Sequence, residues 1–326
     1  MTRPRILLDL TPELRAELFD EERLDRLAEL GDVECFRAAT AEERFGYEVV
    51  VTGWGSATFP GRRLSGDRLQ LIAHSAGTIR SMVPRSLMAD GVRVSQAASG
   101  MAVSVAELAL YLTQALLRNL HTVDRRMRAH DWRGAHDLPL GRTVAGAQIG
   151  VIGASRVGRA YIEHLTAMGA DVVVSDPYLA RRDADEMGVE LMGLDDLLRT
   201  SEVVALHAPV TDETRGMLSA ERLAMIPDGG VFVNTARSVI VDNDALLAEL
   251  QRGRLSAALD VFDIEPLPED HAIWDLPNVI MTPHIGAYTR HSRRTQADVV
   301  IDEIDRFLSE SSLVFEVNAD NYDHLA

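Results

Sequence analysis

The chain has 326 residues, 46% of them hydrophobic, a length and composition that favour two domains with ample buried cores. Fifty acidic against 33 basic side chains give a formal charge of −17, which argues against nucleic-acid phosphates or anionic membranes as partners and leaves any anion site to be built locally. All 33 basic residues are arginines, so Schiff-base chemistry and a lysine general base are excluded, and the lone Cys35 excludes an internal disulfide or a cysteine metal cluster. No metal site is expected.

In chain order, Ile6-Leu7-Leu8 reads as a strand. It is broken by Asp9 and Pro12, too short for a secretory signal, and no run approaches membrane-spanning length, so a cytoplasmic location is expected. Thr11-Pro12-Glu13 is a helix start with a hydroxyl cap and a first-turn proline, and Leu14, Leu18, Leu27 and Leu30 give that helix its apolar side. Strands are expected at 33–36, 49–52, 69–73 and 92–95, an alternation that predicts a small parallel sheet covered by helices. Ligands of such sheets lie beyond the strands' C-terminal ends, which singles out the loops Gly53-Trp54-Gly55-Ser56 and His74-Ser75-Ala76-Gly77-Thr78, with plain turns as the alternative. Residues 102–120 form an almost wholly apolar helix, a candidate bridge between domains. Residues 125–142, with Trp132 and several arginines, read as an irregular arm.

Residues 148–176 organise the rest. They read as strand, glycine turn, helix and second strand, closed by Asp176. Gly153 allows a tight turn, Gly158 lets the helix approach the sheet, and the helix's free N–H groups would face a pyrophosphate. Asp176 stands 18 residues beyond Gly158, where a carboxylate accepts ribose hydroxyls and repels a 2′-phosphate, which favours NAD over NADP. Ser155 occupies the place of the usual middle glycine and weakens the match.

Beyond it, strands are expected at 189–192, 203–206, 230–234, 257–259 and 279–281, with helices at 195–200, 242–252 and 287–309. Three strand ends carry polar residues: Arg237, Asp260 with Glu265, and His284. Arginine grips a carboxylate, histidine moves a proton near neutral pH, and glutamate orients the ring, a set suited to hydride transfer to a 2-oxo acid. Taken singly, each also reads as a surface ion pair or turn residue.

These residues resemble the NAD-dependent D-2-hydroxyacid dehydrogenases. The resemblance runs through residues 150–158, Asp176, His207-Ala208-Pro209 with Thr211 and Thr214, Asn234-Thr235-Ala236-Arg237, Asp260-Val261-Phe262 with Glu265-Pro266-Leu267, and Thr282-Pro283-His284-Ile285-Gly286-Ala287. It covers most of the chain from Val105-Ala106-Glu107 onward. It implies an α/β protein of two doubly wound parallel-sheet domains, a Rossmann-type NAD-binding domain (101–289) inserted into a flavodoxin-like substrate domain (1–100 and 290–326). It implies Arg237, Glu265 and His284 as catalytic residues and Asp260 near the nicotinamide carboxamide. Gly153, Ser155, Arg156, Val157, Gly158, Asp176, His207, Ala208, Pro209, Thr214, Thr235, Ala236 and Gly286 would complete the cofactor site with Arg237 and His284. Trp54 would meet the substrate, a small anionic 2-oxo or 2-hydroxy acid, and the backbone N–H groups of Ser75, Ala76 and Gly77 would bind its carboxylate. The resemblance also implies a homodimer through the helix and arm near 102–142. Ser155, Ser238 (glycine is usual) and Met101 (asparagine is common) depart from the pattern. Two alternatives remain at this point: a phosphite- or formate-type dehydrogenase, with Glu265 counting against formate, and a non-catalytic NAD-sensing protein.

Overall fold

The computed structural model describes residues 3–36 and 39–323. Residues 1–2, 37–38 and 324–326, which fall within the expected substrate domain, lie outside the described residues. The chain divides into two units, Met1–Met101 with Tyr288–Ala326, and Ala102–Ala287.

In the first unit, strands β1 (Arg5–Asp9), β2 (Asp32–Phe36), β3 (Val49–Thr52), β4 (Leu71–His74) and β5 (Arg93–Gln96) pair in parallel in the order β5-β4-β3-β1-β2. The short strand Glu316–Val317 pairs antiparallel with β5. The strands are short apolar runs because both faces are covered. Ile6, Leu8, Val49 and Val51 face one core with Ala297, Val300 and Ile304 of the helix Arg290–Leu308, while Leu7 and Val50 face another with Phe45 and Ile72. The single helix expected after Thr11 is two, Pro12–Leu18 and Glu21–Leu30. Phe19 is extended, and Asp20 starts a new helix by accepting the Arg23 N–H at 3.2 Å.

In the second unit, β6 (Gln148–Ile152), β7 (Asp171–Ser175), β8 (Glu190–Leu191), β9 (Val203–Leu206), β10 (Val231–Asn234), β11 (Ser256–Leu259) and β12 (Val279–Met281) form one parallel sheet in the order β12-β11-β10-β9-β6-β7-β8. Side chains again alternate between two cores: Val203 and Ala205 on one face, Val204 and Leu206 on the other. The chain winds outward from β6 one way and from β9 the other, so the crevice between these two strands is the topological switch point where ligands of doubly wound sheets bind.

The expected helix over 102–120 stops at Leu117, and Asn119, at φ +51°, turns the chain. The arm expected to be irregular carries two helices, Leu120–Arg128 and Trp132–His136. Their ends explain them: Arg125, Arg126 and Arg128 sit in the last turn of the first, against the negative end of its dipole, and Asp131 caps the second by accepting the Gly134 N–H at 2.8 Å. Contrary to the sequence expectation, Ala98–Leu117 is 20 residues long and apolar enough, by length and composition, to cross a membrane. Its residues Ala106, Ala109, Leu112 and Leu116 lie in the second unit's core with Tyr161, Ile162 and Leu165 of the helix Arg156–Ala167. The Tyr161 hydroxyl is satisfied there by Thr113, 2.7 Å away.

Candidate active site

The turn after β6 has no room for side chains at two positions. Gly153 has φ +91°, and a Cβ on it would lie 2.6 Å from the Ala208 nitrogen; a Cβ on Gly158 would lie 2.0 Å from the Gly153 carbonyl oxygen. Only glycine allows the helix start, the β6 end and the residue 207–208 turn to meet. Ser155 is different. Its φ of −78° is open to any residue, it is exposed, and its side chain makes no cap bond. The missing glycine therefore costs the turn nothing. Arg156 and Val157 open the helix.

Asp176 is held at the end of β7. Its Oδ2 accepts the Ala154 N–H at 2.7 Å and its Oδ1 accepts the Tyr178 N–H at 2.8 Å. Each oxygen retains acceptor capacity for a hydroxyl. Across the switch point, His207 donates its backbone N–H to Ile152 O at 2.8 Å and lays its ring against Tyr161, with centroids 4.8 Å apart. Burial pushes its pKa down to about 3, so the ring is neutral, and its Nε2 has no partner. The Thr235 hydroxyl, just past β10, is likewise buried without a partner. Thr214 closes its own loop, donating to Pro209 O at 2.7 Å and accepting the Thr211 N–H at 2.8 Å.

The neighbouring strands β10, β11 and β12 carry the titratable residues at the same edge. Arg237 is half-buried, and burial lowers its pKa against the opposing pull of Glu265. The guanidinium stays charged at any physiological pH. Glu265 Oε2 lies 2.8 Å from His284 Nδ1, and its Oε1 accepts the Phe262 N–H at 2.9 Å. Desolvation raises the Glu265 pKa, but bonds from His284 and Phe262 and the charges of His284 and Arg237 outweigh it, and the net shift is downward. An ionised glutamate on Nδ1 fixes the ring and leaves Nε2 to exchange a proton with a ligand.

His284 sits at φ +54°, a left-handed conformation that non-glycine residues adopt only when held, at a cost of order 1 kcal/mol. Asp260 holds it. This carboxylate is 1% exposed and accepts from Thr282 Oγ1 at 2.5 Å, Ile285 N at 2.8 Å and Gly286 N at 2.8 Å. All three bonds tie it to the turn that carries His284. Asn234 ends the strand β10, three residues before Arg237. It takes the Ala236 N–H on Oδ1 at 3.0 Å and gives Nδ2 to Arg237 O at 3.1 Å, so it shapes the Arg237 turn. A polar side chain ending the apolar run Val231-Phe232-Val233 was its only sequence signal.

Trp54, Ser75, Ala76 and Gly77 belong to the first unit. Trp54 is 43% exposed, whereas Ser75 and Ala76 are buried. The Ser75 N–H already donates to Thr52 O at 2.7 Å, so of the expected carboxylate donors Ala76 and Gly77 remain. Among the described residues no cluster of three metal-ligating side chains occurs.

The second unit fits a dinucleotide on its own geometry. It offers a glycine turn into an uncapped helix start, two buried polar atoms without partners beside the switch point, and a fixed carboxylate at the end of the second strand.

Comparison with known proteins agrees. Residues 110–286 match the family model described as D-isomer specific 2-hydroxyacid dehydrogenase, NAD binding domain. The chain is 30% identical to a D-3-phosphoglycerate dehydrogenase of Methanocaldococcus jannaschii, over 88% of this chain and 56% of that protein. It is 31% identical to a hydroxypyruvate reductase of Thermotoga maritima, over 74% of this chain and 78% of that one. It thus spans about half the length of the phosphoglycerate dehydrogenases it matches, 48% for that of Mycobacterium leprae. The crystal structure of the TT0316 protein of Thermus thermophilus superposes with a TM-score of 0.81 at 29% identity, covering 96% of this chain and 99% of that one. A D-2-hydroxyisocaproate dehydrogenase, at 21% identity and a TM-score of 0.85 over 97% of this chain and 99% of that one, shares the fold.

Proposed function

The chain belongs to the D-isomer specific 2-hydroxyacid dehydrogenase family, and we propose that it interconverts a small 2-oxo acid, such as a glyoxylate- or hydroxypyruvate-like compound, with the D-2-hydroxy acid. In this reading Ala102–Ala287 is the cofactor domain and the first unit the substrate domain. NAD, when bound, supplies or removes the hydride. Gly153, Gly158 and the helix start after Ser155 would seat its pyrophosphate. Asp176 would take the ribose hydroxyls, and neutral His207, Ala208, Pro209, Thr214, Thr235, Ala236 and Gly286 would line the groove.

The chain's own groups do the rest. Arg237 holds the substrate carboxylate through paired N–H donors. His284 gives a proton from Nε2 to the oxygen on C2 as that carbon is reduced, and takes it back in the opposite direction. Glu265 stabilises the ring while it carries the charge. The observation that carries the proposal is the 2.8 Å contact between His284 and Glu265 at the strand edge that also bears Arg237. Arg237→Met tests it: a charged hydrogen bond is worth ~1.5–3 kcal/mol, so the KM for a 2-oxo acid should rise about 10- to 100-fold with NADH affinity retained. An unchanged KM contradicts the assignment.

The helices at 102–136 expose Val103, Tyr111, Leu120, Met127 and Trp132, and Leu140 follows them. These apolar groups support a homodimer through this region. Sedimentation velocity checks it, a monomer being the contrary result.

A further inference from the structure

The proposed chemistry needs Arg237 and Glu265 in a fixed relation, yet the two residues leave the ends of different strands of the second unit. The turn after β10 is pinned at its start by Asn234, through Ala236 and Arg237. Its end is pinned by Asn243. That side chain donates its NH₂ to Val241 O at 3.0 Å and to Ser238 O at 3.2 Å, closing the single turn Ser238–Ile240 that follows Arg237. Asn243 also opens the helix Asn243–Gln251, but Asp242 is the cap there, accepting the Ala245 N–H at 3.0 Å. The helix start does not need the Asn243 amide.

The same NH₂ reaches a third oxygen, Asp263 Oδ1 at 2.9 Å, on the loop after β11. Asp263 stands two residues before Glu265 in the run 263–266, which is exposed throughout. This run is anchored at Glu265 by His284 and at Asp263 by Asn243. Two hydrogens facing three oxygens on two loops fix the plane of the amide. Exposed loops open easily, and a carboxylate that must meet an imidazole at 2.8 Å loses that geometry when its loop moves.

We propose that Asn243 is a positioning residue for the reaction, latching the Glu265 loop through Asp263 onto the turn that carries Arg237. The inference rests on the dehydrogenase reading above. None of the three Asn243 bonds goes to the side chain of Arg237, Glu265 or His284, so Asn243 acts through the two loops and not on the substrate.

The test begins with Asp263→Ala, because that side chain is exposed and its removal leaves the core intact. With NADH and hydroxypyruvate or glyoxylate, kcat should fall about tenfold, the worth of one hydrogen bond to a charged group. The KM for the acid, NADH affinity by fluorescence titration and the Tm should stay at wild-type values. Asp263→Asn keeps an accepting oxygen and should restore most of the lost rate. Asn243→Asp is nearly isosteric, and its charge suits the first turn of a helix, yet it sets a carboxylate against Asp263 and two carbonyls. It should lower kcat at least as far as Asp263→Ala; a residue that served only the helix start would leave kcat unchanged. In Glu265→Ala, adding Asp263→Ala should cost nothing more. An unchanged kcat in Asp263→Ala, no rescue by asparagine, or additive losses in the double variant overturns the inference alone. A wild-type protein that turns over no 2-oxo acid overturns the dehydrogenase reading and this assignment together.

Discussion

Two turns at one edge of the second unit's sheet are shaped in opposite ways. The turn after β6 is defined by absent side chains: a Cβ on Gly153 or Gly158 would strike backbone at 2.6 or 2.0 Å. The turn after β12 is defined by one present side chain, the buried Asp260 carboxylate, which binds Thr282, Ile285 and Gly286 and so keeps His284 at φ +54°. In the proposed function the first would offer backbone donors to an anion, and the second would present a proton-transfer group. Steric definition fails abruptly with volume, whereas electrostatic definition fails with charge, so the two halves should respond to different perturbations.

Gly158→Ala should break the contrast at its steric end and have the largest effect. Its methyl group cannot coexist with the Gly153 carbonyl, and overpacking costs ~1–3 kcal/mol or more. Thermal denaturation should show that loss, and calorimetry should show NADH binding gone; wild-type NADH affinity would contradict it. Asp260→Asn keeps the volume and removes the charge, leaving an amide NH₂ against a buried N–H or hydroxyl donor. That mismatch should cost about 1–3 kcal/mol of stability and lower kcat more than NADH affinity. The opposite order of losses would mean that Asp260 acts mainly through the cofactor.

Acid separates the two units more gently. His207 in the second unit and His74 in the first are buried and neutral, with pKa values pushed down to about 3 and about 4. The unfolded chain takes up their protons near pH 6.5 and the folded chain does not. Each therefore withdraws stability as pH falls below 6.5, at ~1.4 kcal/mol per pH unit, until its folded value is reached. Glu265 adds to this only lower down: its stabilising effect is present above its unfolded value near pH 4.3 and is lost as pH falls through the lower folded one. Urea melts of His207→Phe across this range should show a shallower acid slope, and an unchanged slope would mean that His207 is protonated in the fold.

What could be read from the sequence divides along the same line. Glycines announce themselves, so the β6 turn, Asp176 at its fixed distance, and the parallel α/β architecture were all legible. Arg237, Glu265 and His284 were legible as strand-end residues because strand ends of one parallel sheet share an edge. The hold of Asp260 on the His284 turn was not legible because its partners lie 22 to 26 residues onward, across a strand pairing that only the fold supplies. The break at Phe19-Asp20 was missed because leucines on both sides kept a helical spacing through it. Asn243 and Asp263 follow different strands and meet only when β10 and β11 pair.

NADH oxidation by the wild-type protein and by His284→Ala, with hydroxypyruvate and glyoxylate as acceptors, decides the chemistry assigned to the β12 turn. Loss of a positioned proton donor should lower kcat by ~10²–10⁴-fold while NADH binding, seated at the other turn, is retained. Full activity in the variant, or no turnover of any 2-oxo acid by the wild type, would contradict that assignment.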